Sequence, residues 1–247
     1  MHEPTTETPG AWAQGARETA LCLILLLMGV LPFAVADNPW CGPAFSLPWI
    51  RHVPPQATAG LLVFTAFSCL WARTVHWALP LAATLHGAVW VENVAQIHHA
   101  WHLPVLLAWL EATPALRRPW IRRLTVGGWH FHAAVAKLQV HGLGWADGES
   151  MRTWVEAFGY PHARAFSAYL PTWVLAAAQW FALIAEATAP AATWRPRTVG
   201  FALLAFYVAV VVTFPFGFAG NAVLVGLYLL VPDEPVSAPP PCASLRG

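Results

Sequence analysis

Between Arg197 and Asp233 the sequence runs without a single Asp, Glu, Lys or Arg. That uninterrupted apolar stretch constrains the fold more than any other feature. Residues 199–231 are long enough for two membrane-crossing helices, with a break expected at 215–220, where Pro215 and Gly220 interrupt the run. The rest of the chain agrees. Of 247 residues only 10% are charged and 57% are hydrophobic, whereas a soluble domain carries about 25% charge. A net charge of +1 without a basic run excludes a nucleic-acid binder. The four cysteines, Cys22, Cys41, Cys69 and Cys242, form no CxxC pair, so neither a zinc site nor a redox dithiol is expected and all four are read as free. The sequence therefore predicts an all-α, polytopic transmembrane helical bundle.

Along the chain, residues 1–17 read as a polar N-terminal tail, 18–231 as the transmembrane domain and 232–247 as a Pro-rich tail expected to be disordered. Apolar runs at 18–36, 57–72, 77–91, beyond Leu103, at 124–142, at 166–187 and twice within 199–231 suggest about seven to eight spans. The loop 37–56 has five prolines and carries Trp40 and Trp49, which suits the headgroup level. An amphipathic helix is expected at 150–158. With eight spans and the N-terminus inside, nine arginines fall on the cytoplasmic side (17, 73, 117, 118, 122, 123, 195, 197 and 246). Three fall outside (51, 152 and 164), a bias in the positive-inside sense. This layout puts the WADG segment and the HHAWH turn on the non-cytoplasmic face of an integral, multi-pass membrane protein.

Of thirteen basic residues twelve are arginine, and the one lysine, Lys137, lies inside an apolar stretch. An ionisable residue in a span costs a few kcal/mol and usually faces a protein interior or a wet cavity. On a helix His130, Ala133, Ala134, Lys137 and His141 share one face, and the two alanines leave room for a ligand to approach. Desolvation favours a neutral amine, the form that a general base needs; snorkelling to the headgroups is the alternative. In HHAWH, His98 and His102 stand one turn apart and could share a metal. Without matching histidine boxes elsewhere, hydrogen bonding in a polar cavity suits His98, His99 and His102 better. Glu186 is either a helix-end carboxylate at the interface or a buried partner for an Arg or His. Asp147 and Glu149 in WADGES read as solvated loop acids.

Together these segments resemble the vitamin K-dependent gamma-carboxylase family and its bacterial relatives, the HTTM-domain membrane proteins. The main match is HFHAAVAKLQVHGLGWADGESM, with RRPW before it; IHHAWHLPVLLAWL resembles the family's Asn/His-rich turn and aliphatic run. The resemblance implies Lys137, His99 and Glu186 as catalytic residues. It implies His98, Trp101, His102, His130, Trp145 and Tyr207 around the quinone, with no metal. Trp145 and Gly148 match the family's Trp–Gly pair, and Trp129 and Phe131 are further aromatic candidates for the pocket wall. Two departures stand out. No His occurs near Tyr207, where relatives carry one, and the sequence stops after the membrane domain, so a propeptide-binding domain is not expected.

In such enzymes a neutral lysine removes a proton from reduced vitamin K (a naphthoquinol). The coupled reaction with O2 supplies a base that deprotonates a peptide or protein glutamate, to which CO2 adds. That chemistry needs an apolar, water-poor pocket. Three other readings are open: an accessory protein for maturation of secreted peptides, a non-catalytic membrane protein that binds quinone or lipid, and a His-ligated membrane metal oxygenase.

Overall fold

A computed structural model describes residues 9–34, 55–71, 74–92, 102–214 and 218–233, and these are all helical or short connections. The helices are α1 (Pro9–Ala34), α2 (Pro55–Ser68), α3 (Val75–Glu92), α4 (His102–Ala112), α5 (Pro119–His141), α6 (Glu149–Phe158), α7 (Pro161–Tyr169), α8 (Thr172–Ala187), α9 (Pro196–Thr213) and α10 (Ala219–Val225). The last continues into one π turn, Gly226–Leu230. The all-α class is as expected. The helices α5, α7 and α9 start three to five residues before the apolar runs expected at 124, 166 and 199, because Pro119, Pro161 and Pro196 occupy first helical positions, where a missing N–H costs nothing.

The expected count of seven to eight spans is corrected. Among the described residues one helix, α9, is long and apolar enough to cross a membrane. A second arises only if α7 and α8 are taken together across a bend of 119°. The reason lies in chain punctuation. The run expected as one span at 166–187 breaks at Leu170, which is extended as the residue before Pro171. The helices α2 and α4 have only 14 and 11 residues, about 21 and 17 Å at 1.5 Å per residue, against ~30 Å of hydrocarbon. The amphipathic helix expected at 150–158 is α6. The tail expected at 1–17 is helical from Pro9, whereas 234–247, like Cys41 and Cys242, lie outside the described residues. Cys22 and Cys69 are buried and free, as read.

The core runs between α1–α4 on one side and α9–α10 on the other, through Leu21, Leu25, Leu62, Leu79, Leu107, Leu203 and Leu224. The helix α5 closes the bundle. Gly127 lies so near the 3-10 turn Ala189–Thr193 that a Cβ there would stand 2.5 Å from the Ala189 carbonyl oxygen. Only glycine permits that approach, which lays α8 along α5 and sets the geometry of the site.

Candidate functional site

Lys137 on α5 meets Glu186 on α8, and the ammonium donates a hydrogen bond to Glu186 Oε2. The lysine side chain is 23% exposed and the carboxylate 3%. The rings of Trp145 and Phe206 lie 5.1 and 5.9 Å from Nζ, within cation–π range. A buried carboxylate and two aromatic faces thus hold one cation. The sequence allowed Glu186 a buried Arg or His partner; the partner is instead the lone lysine.

Trp145 is placed by the loop that follows α5. Gly148 adopts φ +85°, and a Cβ there would lie 2.3 Å from the Thr172 carbonyl oxygen, so both backbone and space require glycine. Its N–H donates to Gln179 Oε1 at 2.8 Å, while Gln179 Nε2 donates to the Trp145 carbonyl and to Ser150 Oγ. One buried amide on α8 therefore fastens the WADG loop over Lys137. Sequence reading missed Gln179, although it stands seven residues before Glu186 on the same helical face, a polar residue in the apolar run of α8. Asp147 is exposed, as expected. Its carboxylate accepts from the Ser150 N–H and, at 2.9 Å, from the Ser150 hydroxyl. The Ser150 N–H, first, and then the Ser150 hydroxyl hold the carboxyl below its usual range.

Beside the pair lies a cavity of ≈ 170 Å³ lined by Trp129, Ala133, Lys137, Trp145, Gln179, Glu186, Phe206, Tyr207 and neighbouring apolar residues. An apolar cavity of ~150 Å³ holds a benzene ring, so this one takes a planar ring system. A second cavity, of ≈ 230 Å³, shares Met151, Ala182, Phe206, Val210 and Phe214 with the first and is lined almost entirely by apolar groups.

Tyr207 lines the cavity, and His130 lies behind it. Both are fully buried. Tyr207 OH and His130 Nε2 are 2.8 Å apart, and His130 Nδ1 is 2.7 Å from the Val126 carbonyl oxygen. The sequence has no histidine near Tyr207, but the fold brings one from α5. Asn221 on α10 is also fully buried, with its side chain beside the Tyr207 hydroxyl.

Of the residues singled out from the sequence, the fold assembles Lys137, Glu186, Trp145, Tyr207 and His130, with Trp129 and Ala133. Phe131 faces outward at 45% exposure, and His141 is exposed. His102, at the start of α4, does not line the cavity and interacts with His132. His98, His99 and Trp101 lie outside the described residues. Among the described residues no group of three or more metal-ligating side chains occurs.

A second buried charged cluster, which the sequence did not announce, lies at the other end of α5. Glu111 accepts from Arg122 Nε at 2.8 Å and Nη2 at 2.9 Å, from Gln14 at 3.0 Å and from the Tyr228 hydroxyl at 3.0 Å. Asp233 pairs with Arg17 at 2.9 Å, Arg123 at 3.0 Å and Arg122 at 3.4 Å. Four segments meet there: α1, α4, α5 and the chain from the π turn to Asp233.

No family model matches the chain, and neither a curated protein nor a solved structure matches it.

Proposed function

We propose that the chain is a membrane-embedded enzyme that binds a reduced naphthoquinone in the cavity between α5, α6, α8 and α9. The Lys137–Glu186 pair takes a proton from the ligand. The observation that carries this reading is a hydrogen-bonded lysine–carboxylate pair set in the wall of a largely apolar cavity.

The residues present fit such a ligand. Trp129, Trp145 and Phe206 offer faces to a planar ring, Lys137 meets a polar substituent, and the adjoining apolar cavity has room for an aliphatic extension. The proton of the pair has two positions. On Lys137 it gives an ammonium held by carboxylate and rings. On Glu186 it leaves a neutral amine that accepts a proton from a hydroxyl. The apolar walls keep water from competing for that proton. When bound, the reduced quinone together with O2 supplies a base strong enough to remove a carbon-bound proton, as glutamate carboxylation with CO2 requires.

The bilayer location belongs to the same proposal. Large apolar side chains stand exposed on many helices, among them Leu27 at 60%, Phe64 at 61%, Phe201 at 62% and Val212 at 55%. Monomers in water rarely expose contiguous apolar area of that kind. The proposed orientation places the WADG loop, which lies over Lys137, on the non-cytoplasmic side, where a secreted peptide substrate is accessible. Trp154, Tyr169 and Trp173 are exposed near that end, as residues at the headgroup level would be.

The test is quinol consumption by purified protein supplied with reduced menadione and O2. Wild type consumes quinol, and Lys137→Ala abolishes consumption. A wild type that binds menadione without turning it over overturns the enzymatic reading. It leaves the second reading, a non-catalytic binder, which the already paired and ring-covered lysine favours.

A further inference from the structure

The two cavities differ in how deeply their walls are buried. The cavity beside Lys137 is backed by Gln179, Glu186 and Tyr207, all of them buried. The second cavity lies between α6, α7, α8 and α9, and four of its lining residues are exposed. They are Phe166 on α7 at 66%, Ala178 and Phe181 on α8, the latter at 45%, and Ala209 on α9. Residues of three helices that line one cavity and also reach the surface mark its mouth. That mouth opens on the side of the bundle, where Val208 and Val212 of α9 are exposed as well.

From the mouth a path leads inward. Met151, Ala182, Phe206, Val210 and Phe214 line both cavities. On α8 the residues Ala178, Ala182 and Glu186 follow at four-residue spacing on one face. Ala178 lines the outer cavity, Ala182 both and Glu186 the inner one. Eight residues of helix make this path about 12 Å long, and its two alanines leave it wide. Among the described residues no charged side chain lines the outer cavity. The WADG loop lies over Lys137 from another side, fastened there by three hydrogen bonds of Gln179.

We propose that the outer cavity is a side entrance, through which the ring ligand passes from the bilayer between α7, α8 and α9 to Lys137. A neutral ring dissolves in hydrocarbon and meets only apolar walls until it reaches the ion pair. A ring system with a fixed charge does not enter that way, because shedding its water at an apolar mouth is costly. The entrance thus selects for neutral ligands drawn from the lipid.

The inference rests on the inner cavity being a ring-binding site, and its test separates the two ideas. The full chain is placed in phosphatidylcholine nanodiscs, and menadione binding is followed by stopped-flow quenching of tryptophan fluorescence. Ala178→Phe and Ala209→Phe, singly and together, narrow the mouth from exposed helix positions. Neither residue lines the inner cavity, and menadione, which has no long chain, does not extend to the mouth once bound. The double variant is expected to slow association and dissociation alike by roughly tenfold or more, with Kd changed by less than about twofold. The single variants supply the answer if the double variant does not fold. The second probe is 1,4-naphthoquinone-2-sulfonate, which keeps the rings and adds a fixed negative charge. It should not bind wild type at concentrations at which menadione saturates.

Wild-type rates in the variants mean that the outer cavity seats a lipid chain only, and they overturn the proposal while leaving the ring-binding site intact. A weaker Kd at an unchanged association rate overturns it as well. Binding of the sulfonate as fast as menadione shows entry from water, where its charge would favour Lys137, and also overturns it. If menadione does not bind wild type, the ring-binding reading fails and takes the entrance with it.

Discussion

Two buried charged clusters sit on the same helix, and they are built on opposite plans. Arg122 and Lys137 are 15 residues apart on α5, roughly 22 Å at 1.5 Å per residue. Around Arg122 the hydrogen-bonding capacity is nearly used up: Glu111 takes four donated bonds and Asp233 meets three arginines. Around Lys137 one carboxylate and two rings attend one ammonium, and a cavity opens beside it. A saturated network has nothing left to offer a ligand and fixes the positions of the helices that contribute to it. An unsaturated pair beside apolar walls keeps donors for something else. The contrast assigns stability to the first cluster and chemistry to the second.

The largest effect should come from breaking the saturated end. Glu111→Ala leaves Arg122 buried without its carboxylate, and removal of one partner from a buried pair costs about 3–5 kcal/mol. Thermal melting in detergent should show a pronounced loss, with no folded fraction left to assay if the protein is marginal. Lys137→Met should do the reverse. Quinol turnover falls by about a hundredfold or more, while the melting temperature moves little, because Glu186 can take up a proton. Equal melting losses in the two variants would erase the distinction between the clusters.

Smaller effects test how the second cluster is held. Gly148→Ala forces a side chain into the Thr172 carbonyl at a left-handed φ and should cost roughly 1–3 kcal/mol, with quinol turnover reduced as Trp145 leaves Lys137. Gln179→Leu strips partners from the Gly148 N–H and the Trp145 carbonyl, at about 1–3 kcal/mol, and should change the near-ultraviolet circular dichroism of the tryptophans. The smallest change is expected at Asp147→Ala, which loosens only the start of α6. The folded carboxyl is held below its ordinary range, so its contribution is present above that range and fades as pH falls through the lowered value. Wild type and variant should therefore converge on acidification.

Much of this was legible beforehand. The interruption between α9 and α10, the amphipathic α6 and the singular place of Lys137 all follow from local rules, whereas the starts at Pro119, Pro161 and Pro196 precede the apolar runs expected from 124, 166 and 199. The 119° bend at Leu170 was missed because the apolar run of 166–187 outweighed one proline in a count of apolar residues. Gln179 was missed because a lone amide is weaker to the eye than a charge. Glu111 was not singled out and Arg17 was placed in the polar tail, since nothing local says that Gln14, Arg122 and Tyr228, from distant segments, converge on one carboxylate.

The sequence by itself determined an all-α chain poor in charge and put one lysine on a helix face with small residues beside it. Periodicity along one helix is enough for that, because it tells which residues share a face. Only the tertiary structure decided what lies opposite. The close approach at Gly127 set α8 against α5 and made Glu186 the partner of Lys137. The packing of α9 against α8 and the Ala189–Thr193 turn placed Tyr207 on His130, and the turn at Gly148 laid Trp145 over the ammonium. Those pairings span 49, 77 and 8 residues of chain. The two long ones depend on backbone approach between helices, which no helical period encodes.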